Sequence, residues 1–120
     1  MKEKIEKYTK ILRIELEDLE QDLLMMAEIY HQRELKKEIT DYVFLENLSL
    51  LQSEIAGIDN IIASLEDIDP TQFASIEGFA AYVADEFRNK TQEAGFPESV
   101  FALVDRKLQK VTRYILSTDG

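Results

Sequence analysis

The chain has no cysteine and no tryptophan, and only two prolines and four glycines in 120 residues. Without cysteine there is no disulfide framework, no zinc-thiolate site and no thiol nucleophile, which fits a reducing compartment. The glycines, Gly57, Gly78, Gly95 and Gly120, are scattered singly, so no phosphate-cradling loop is present. A single histidine, His31, is the only imidazole available as a base. Clustered cations are scarce too: net charge is −10, and residues 11 to 69 carry 15 acids against 4 bases. Such a surface repels phosphate backbones, and direct nucleic-acid binding is not expected. No apolar run reaches membrane-spanning length, and Met1-Lys2-Glu3-Lys4 leads into charged amphipathic sequence rather than a leader-like apolar core. The expectation is a soluble, cytoplasmic chain with no membrane contact, folded as one domain over residues 1–120.

What is present is apolar periodicity. Ile5, Tyr8, Leu12, Leu16, Leu19, Leu23, Met26 and Tyr30 recur at three and four, within roughly 40° of one line on a helical cylinder. Their flanks, Glu15, Glu17, Asp18, Glu20, Gln21 and Asp22, suit a helix with one face in water, while an alternating strand could not sort them from the leucines. Phe44, Leu48, Leu51, Ile55, Ile58, Ile62 and Leu65 then repeat strictly at four and three, the spacing of helices packed on helices.

The spacing predicts a first helix from about Lys2 to the mid-thirties, whose lysines Lys2, Lys4, Lys7 and Lys10 lie at the end where the helix dipole favours anions. Something other than its own electrostatics must hold that end. Between His31 and Asp41 the seam thins. A reversal there, with Thr40 or Asp41 capping a second helix to about Glu66, competes with one continuous helix of about 60 residues, because Gln32 to Glu38 are all good helix formers. The reversal is preferred, since helices of globular proteins rarely exceed 25 residues. Gly57 interrupts the second helix and is disfavoured by about 1 kcal/mol against alanine unless a neighbouring backbone needs the space.

Asp69, Pro70 and Gln72 form a capping signature that starts a new helix or turn. A third helix should bury Phe73, Ile76, Ala80, Val83 and Phe87, with Phe79 and Tyr82 beside them, or else begin at Ile76 with Ser75 as its cap. Gly95 supplies a left-handed stop, and Pro97 opens a last helix burying Phe101, Val104, Leu108, Val111 and Ile115. Its cations Lys107, Lys110 and Arg113 fall off that face, as a solvated surface suited to the dipole or as a dock for an acidic segment. Ser117 to Gly120 should fray.

The expected architecture is all-α: a long antiparallel hairpin at about residues 2–67 and a shorter one at 70–117, folded as a four-helix bundle or dimerised through the long helices. Leu23-Leu24-Met25-Met26-Ala27 is apolar on nearly every side, and one neighbour cannot cover it. Leu24, Met25 and Ile29 either meet other helices of the same chain or form a subunit or partner interface, where flexible methionines tolerate imperfect fit.

One pattern has metal-ligand spacing. Glu28 and His31, at i and i+3, resemble half of the Glu-x-x-His motif of carboxylate-bridged metal bundles. The motif occurs once, so only a symmetric dimer supplies a second copy, with Glu46 or Glu54 as further ligands. Both residues point away from the main seam, and in a chain this rich in glutamate the pattern arises easily by chance, so surface residues are the plainer reading. Serines on a helix without a strained turn, and carboxylates with nothing to bury them, give no catalytic set. No cofactor is indicated, and the five tyrosines and six phenylalanines read as packing.

Function is therefore read at the level of fold: a non-enzymatic interaction or assembly module that binds a partner helix or its own copy through an apolar seam including Leu24, Met25 and Ile29, as a homo-oligomer. Two alternatives come from other classes. In composition only, the chain resembles small acidic bacterial export chaperones that hold an amphipathic segment of a secreted subunit; the other is the metal-binding bundle built on Glu28 and His31.

Overall fold

The computed structural model describes residues 1–118; Asp119 and Gly120, part of the tail expected to fray, lie outside them. Ser117 and Thr118 are helical. Four α-helices follow in order, α1 (Lys2–Leu35), α2 (Asp41–Leu65), α3 (Ile76–Glu93) and α4 (Glu98–Thr118), with a single 3-10 turn at Pro70–Gln72. The result is an all-helical bundle measuring 54 × 30 × 18 Å. Its long dimension is that of α1, whose 34 residues span about 51 Å.

The reversal between α1 and α2 is made without glycine or proline. Helix α1 stops at Leu35, Lys37 adopts φ 61°, and its amide and that of Glu38 bond back to the Glu34 and Arg33 carbonyls. Thr40 then caps α2, its hydroxyl accepting from the Val43 amide at 3.1 Å. A left-handed lysine is uncommon, which is why good helix formers gave no warning of it. At one end of the pair Arg13 Nη2 donates to Glu66 Oε1 at 2.8 Å, and at the other the His31 ring lies 5.6 Å from Phe44.

Asp69 caps the 3-10 turn by accepting from the Thr71 amide and hydroxyl, so its signature opens a turn rather than a long helix. Helix α3 starts at Ile76, where Ser75 Oγ accepts from the Gly78 amide. Gly95, at φ 71°, reverses the chain into α4.

On α1 the buried line is Ile5, Tyr8, Leu12, Leu16, Leu19 and Leu23, as its spacing requires. It ends there: Met26 is exposed and Tyr30 only half-buried. On α2 the buried apolar residues are Leu51, Ile58, Ile61 and Leu65, joined by Glu54, Gly57 and Ser64, while Ile55 and Ile62 are half-buried. The seam is thus turned one position from the heptads, towards α4. Ile76, Phe79, Val83 and Phe87 carry the core of α3, with Ala80 and Phe73 at its edge and Tyr82 exposed. In α4 the first core residue is Val100 rather than Phe101, which is half-buried under the Arg88 guanidinium at 4.7 Å.

Tyr8 fastens the end of α1 that the dipole leaves unsupported. Its ring meets Phe79 edge-on at 5.2 Å, and its hydroxyl donates to Leu108 O at 3.0 Å and lies 2.6 Å from Thr112 Oγ1. Burial pushes that phenol up to about 12, against the opposing hydrogen bond from Thr112.

Candidate functional site

Helix α4 reaches α2 at a definite level. Ser99 Oγ donates to Glu54 Oε2 at 2.7 Å, and Val100 and Phe96 stand over Gly57 so closely that a Cβ there would lie 2.9 Å from Val100 Cγ2. On α1 the same side carries Tyr8, then Glu15, whose carboxylate accepts from Lys107 Nζ at 3.1 Å and Lys110 Nζ at 2.9 Å, then Leu19, which shares a groove with Leu103. Beyond this level α1 and α2 continue as a pair. None of residues 24 to 50 is buried. The two helices form an arm of about twelve residues each, roughly 18 Å long, past the start of α4.

The arm is rich in exposed apolar side chains. Leu24, Met25 and Ile29 are 48%, 63% and 53% exposed, so the expectation that they meet other helices of the same chain is not met. They do not share one face: Met25 and Ile29 lie about 40° apart on the helix, whereas Leu24 is about 140° from Ile29. Both helices of the arm have further members. Met26, Val43, Leu45, Leu50, Leu35 and Tyr42 are exposed as well, although Met26 continues the α1 stripe whose earlier members form the core.

A heptad count places four of these on one side. Met26 is seven residues beyond Leu19, and Ile29 is fourteen beyond Glu15, so both continue the α4-facing side of α1. Leu50 is seven residues before Gly57, and Val43 seven before Leu50, continuing the α4-facing side of α2. Met26, Ile29, Val43 and Leu50 therefore extend, without cover, the face that α4 covers lower down.

The metal candidates are differently engaged. Glu28 Oε1 accepts from Gln32 Nε2 at 3.0 Å, and His31 Nδ1 lies 3.8 Å from Glu34 Oε1. Among the described residues no group of three or more histidine, cysteine or acidic side chains is placed to hold an ion, and Glu54 is committed to Ser99. The cations of α4 are not a free solvated face either, because Lys107 and Lys110 clasp Glu15 across the α1–α4 interface. That clasp holds the Glu15 carboxyl below the usual range, the Lys110 hydrogen bond contributing most. The acidic segment that they dock belongs to the chain itself.

Two carboxyl pairs bridge α1 and α2. Desolvation and then the adjoining Asp59 carboxyl push Glu20 up to about 7, and Glu34 is raised likewise by desolvation and Asp41. Among the described residues no helix is long and apolar enough to cross a membrane. No protein-family model matches the chain, and no curated protein or solved structure is detectably similar to it.

Proposed function

We propose that the chain is a non-enzymatic helical interaction module. Its α1 and α2 form a long antiparallel hairpin and α3 and α4 a shorter one, and the arm of the long hairpin is the binding element, taking a helical partner or a second copy through its uncovered apolar face. The observation that carries this reading is the absence of any buried residue between 24 and 50 in a stretch with nine exposed large apolar side chains. Of these, Met26, Ile29, Val43 and Leu50 fall on one side, and exposed apolar side chains gathered in this way mark a contact site. Helix-in-groove recognition uses apolar anchors at i, i+3, i+4 and i+7, and Met26 and Ile29 on α1 have the i, i+3 spacing. A soluble, cytoplasmic setting fits this reading.

The test is co-purification of the tagged wild-type chain from its own cell beside an Ile29→Glu/Leu50→Glu variant of unchanged helicity. The module reading expects at least one stoichiometric protein, the chain's own untagged copy included, to be retained by the wild type and lost by the variant. Identical sets from both would contradict it. Of the other readings, the export-chaperone alternative differs only in the occupant, a secreted helical segment. The metal alternative has no observation in its favour.

A further inference from the structure

We infer that the occupant of the arm is the arm of a second copy, the two chains pairing about a two-fold axis that passes close to Ile29. This deepens the module reading and rests on it.

Geometry gives the first argument. Below the arm, the apolar side of α1 and α2 is closed by the short pair α3 and α4. Above, the same side is open for about 18 Å, the length of one arm. A second arm laid across it in the opposite direction fills that space and restores a four-helix cross-section, α1 and α2 facing their own copies. Its tip then reaches the shoulder where α3 ends and α4 begins. Such a contact is isologous: each copy offers the same patch and the pair closes without leaving a free face for growth. Ile29, midway between Leu24 and Leu35, falls at the centre.

Charge gives the second. The turn at the tip carries Lys36 and Lys37, both exposed, with no carboxylate at ion-pair distance among the described residues. At the shoulder stand Glu93, the last residue of α3, and Glu98, the first of α4, also exposed. An antiparallel overlap brings each tip, where Glu38 is already paired with Arg33 and, among the described residues, Lys36 and Lys37 are not paired, to the Glu93 and Glu98 carboxylates of the other copy's shoulder. The arm itself has five carboxylates and three cations over residues 24–50, whereas residues 11–23 and 51–69 together carry ten carboxylates and one cation. Two arms therefore repel each other weakly, whereas the acidic stretches nearer the base of the hairpin would not tolerate such an approach.

Area gives the third. A compact chain of this mass exposes about 6,700 Å² by the usual size scaling, and this one exposes 7439 Å². The difference, roughly 740 Å², is close in size to the area each partner gives up in a standard stable interface.

The chain has no cysteine, so one introduced thiol reports a single position. Wild-type protein is measured by multi-angle light scattering, and Ile29→Cys and Ile14→Cys variants are exposed to a mild oxidant; Ile14 is equally exposed on α1 but outside the arm. The inference expects a particle of twice 13.9 kDa, rapid disulfide formation between copies at Ile29 and little at Ile14, and a monomer for Ile29→Glu/Leu50→Glu. A wild-type monomer at all accessible concentrations overturns self-pairing, as does a dimer that the double variant leaves intact or that cross-links at Ile14 instead. If that monomer still retains a foreign protein that the double variant loses, only self-pairing has failed; if nothing is lost either, the module reading fails with it.

Discussion

Gly57 and Val100 set the level at which α4 comes to rest on α2. A Cβ at Gly57 would lie 2.9 Å from Val100 Cγ2, 3.0 Å from Val100 Cγ1 and 3.2 Å from Phe96 Cγ. The glycine is thus a seat for the start of α4, and the arm begins where that seat ends. Gly57→Ala gains up to about 1 kcal/mol of helix propensity but forces a fully buried valine to move, and overpacking of this kind costs about 1–3 kcal/mol. Chemical denaturation should show net destabilisation. The Gly57→Ala/Val100→Ala double variant should lose less than the sum of the two single changes, because the second opens the space that the first fills.

Tyr8→Phe should destabilise the chain by about 1–2 kcal/mol. The ring and its contact with Phe79 remain, while the hydroxyl that joins α1 to Leu108 and Thr112 is lost. Denaturant midpoints for Tyr8→Phe, Thr112→Val and the pair should reveal coupling between the two positions. Strict additivity would show that the hydroxyls act separately.

Glu20 gives the pH dependence. Its carboxyl is raised from 4.5 to about 7 in the folded chain, so the folded state holds a proton that the unfolded state releases at lower pH. This contribution to stability is fully present below the unfolded value and is lost as pH rises through about 7. Glu34, also raised, acts in the same sense. The lowered Glu15 carboxyl acts oppositely, but its effect is lost only on acidification below the ordinary carboxylate range, outside this window. Thermal unfolding should therefore occur at a higher temperature near about pH 5.5 than near about pH 8, and Glu20→Gln should reduce that difference.

The core and the arm should differ in their tolerance of charge. Leu19→Asp places a carboxylate in a site 7% exposed and should unfold the bundle, since an unpaired buried charge belongs to the class of changes above about 4 kcal/mol. Ile29→Asp, on the open face of the arm, should leave the stability of an isolated chain within roughly 0.5–1 kcal/mol of wild type. His31→Ala, at a half-exposed ring against Phe44, should likewise change little. Circular dichroism melts at low protein concentration separate the two classes.

The limits of the sequence are physical. Periodicity identified the inner face of α1 residue by residue from Ile5 to Leu23, because a helix must collect its apolar side chains on one line whatever covers them. It carried that line on through Met26, which is exposed, because spacing defines a face and not what stands opposite. On α2 the heptads ran through Ile55 and Ile62, while the buried positions include Glu54 and Ile61. Glutamate has no apolar signature, and Gly57, the residue that admits α4, reads as an interruption until Val100 is seen above it. Leu24, Met25 and Ile29 stand out as surplus apolar surface, whereas Val43 and Leu50 on the opposing helix fall outside the heptads of α2 and carry no periodic signal of their own. The reversal at Lys37 depends on one lysine with positive φ, which no local composition foretold.

Amide hydrogen exchange across residues 24–50 as the wild-type chain is diluted probes the need of the arm for cover most directly. Slow exchange in concentrated solution, accelerating on dilution while the amides around Leu12, Phe79 and Val104 stay protected, is the predicted result. Exchange in the arm that is equally slow at every concentration, and unchanged in Ile29→Glu/Leu50→Glu, would contradict it.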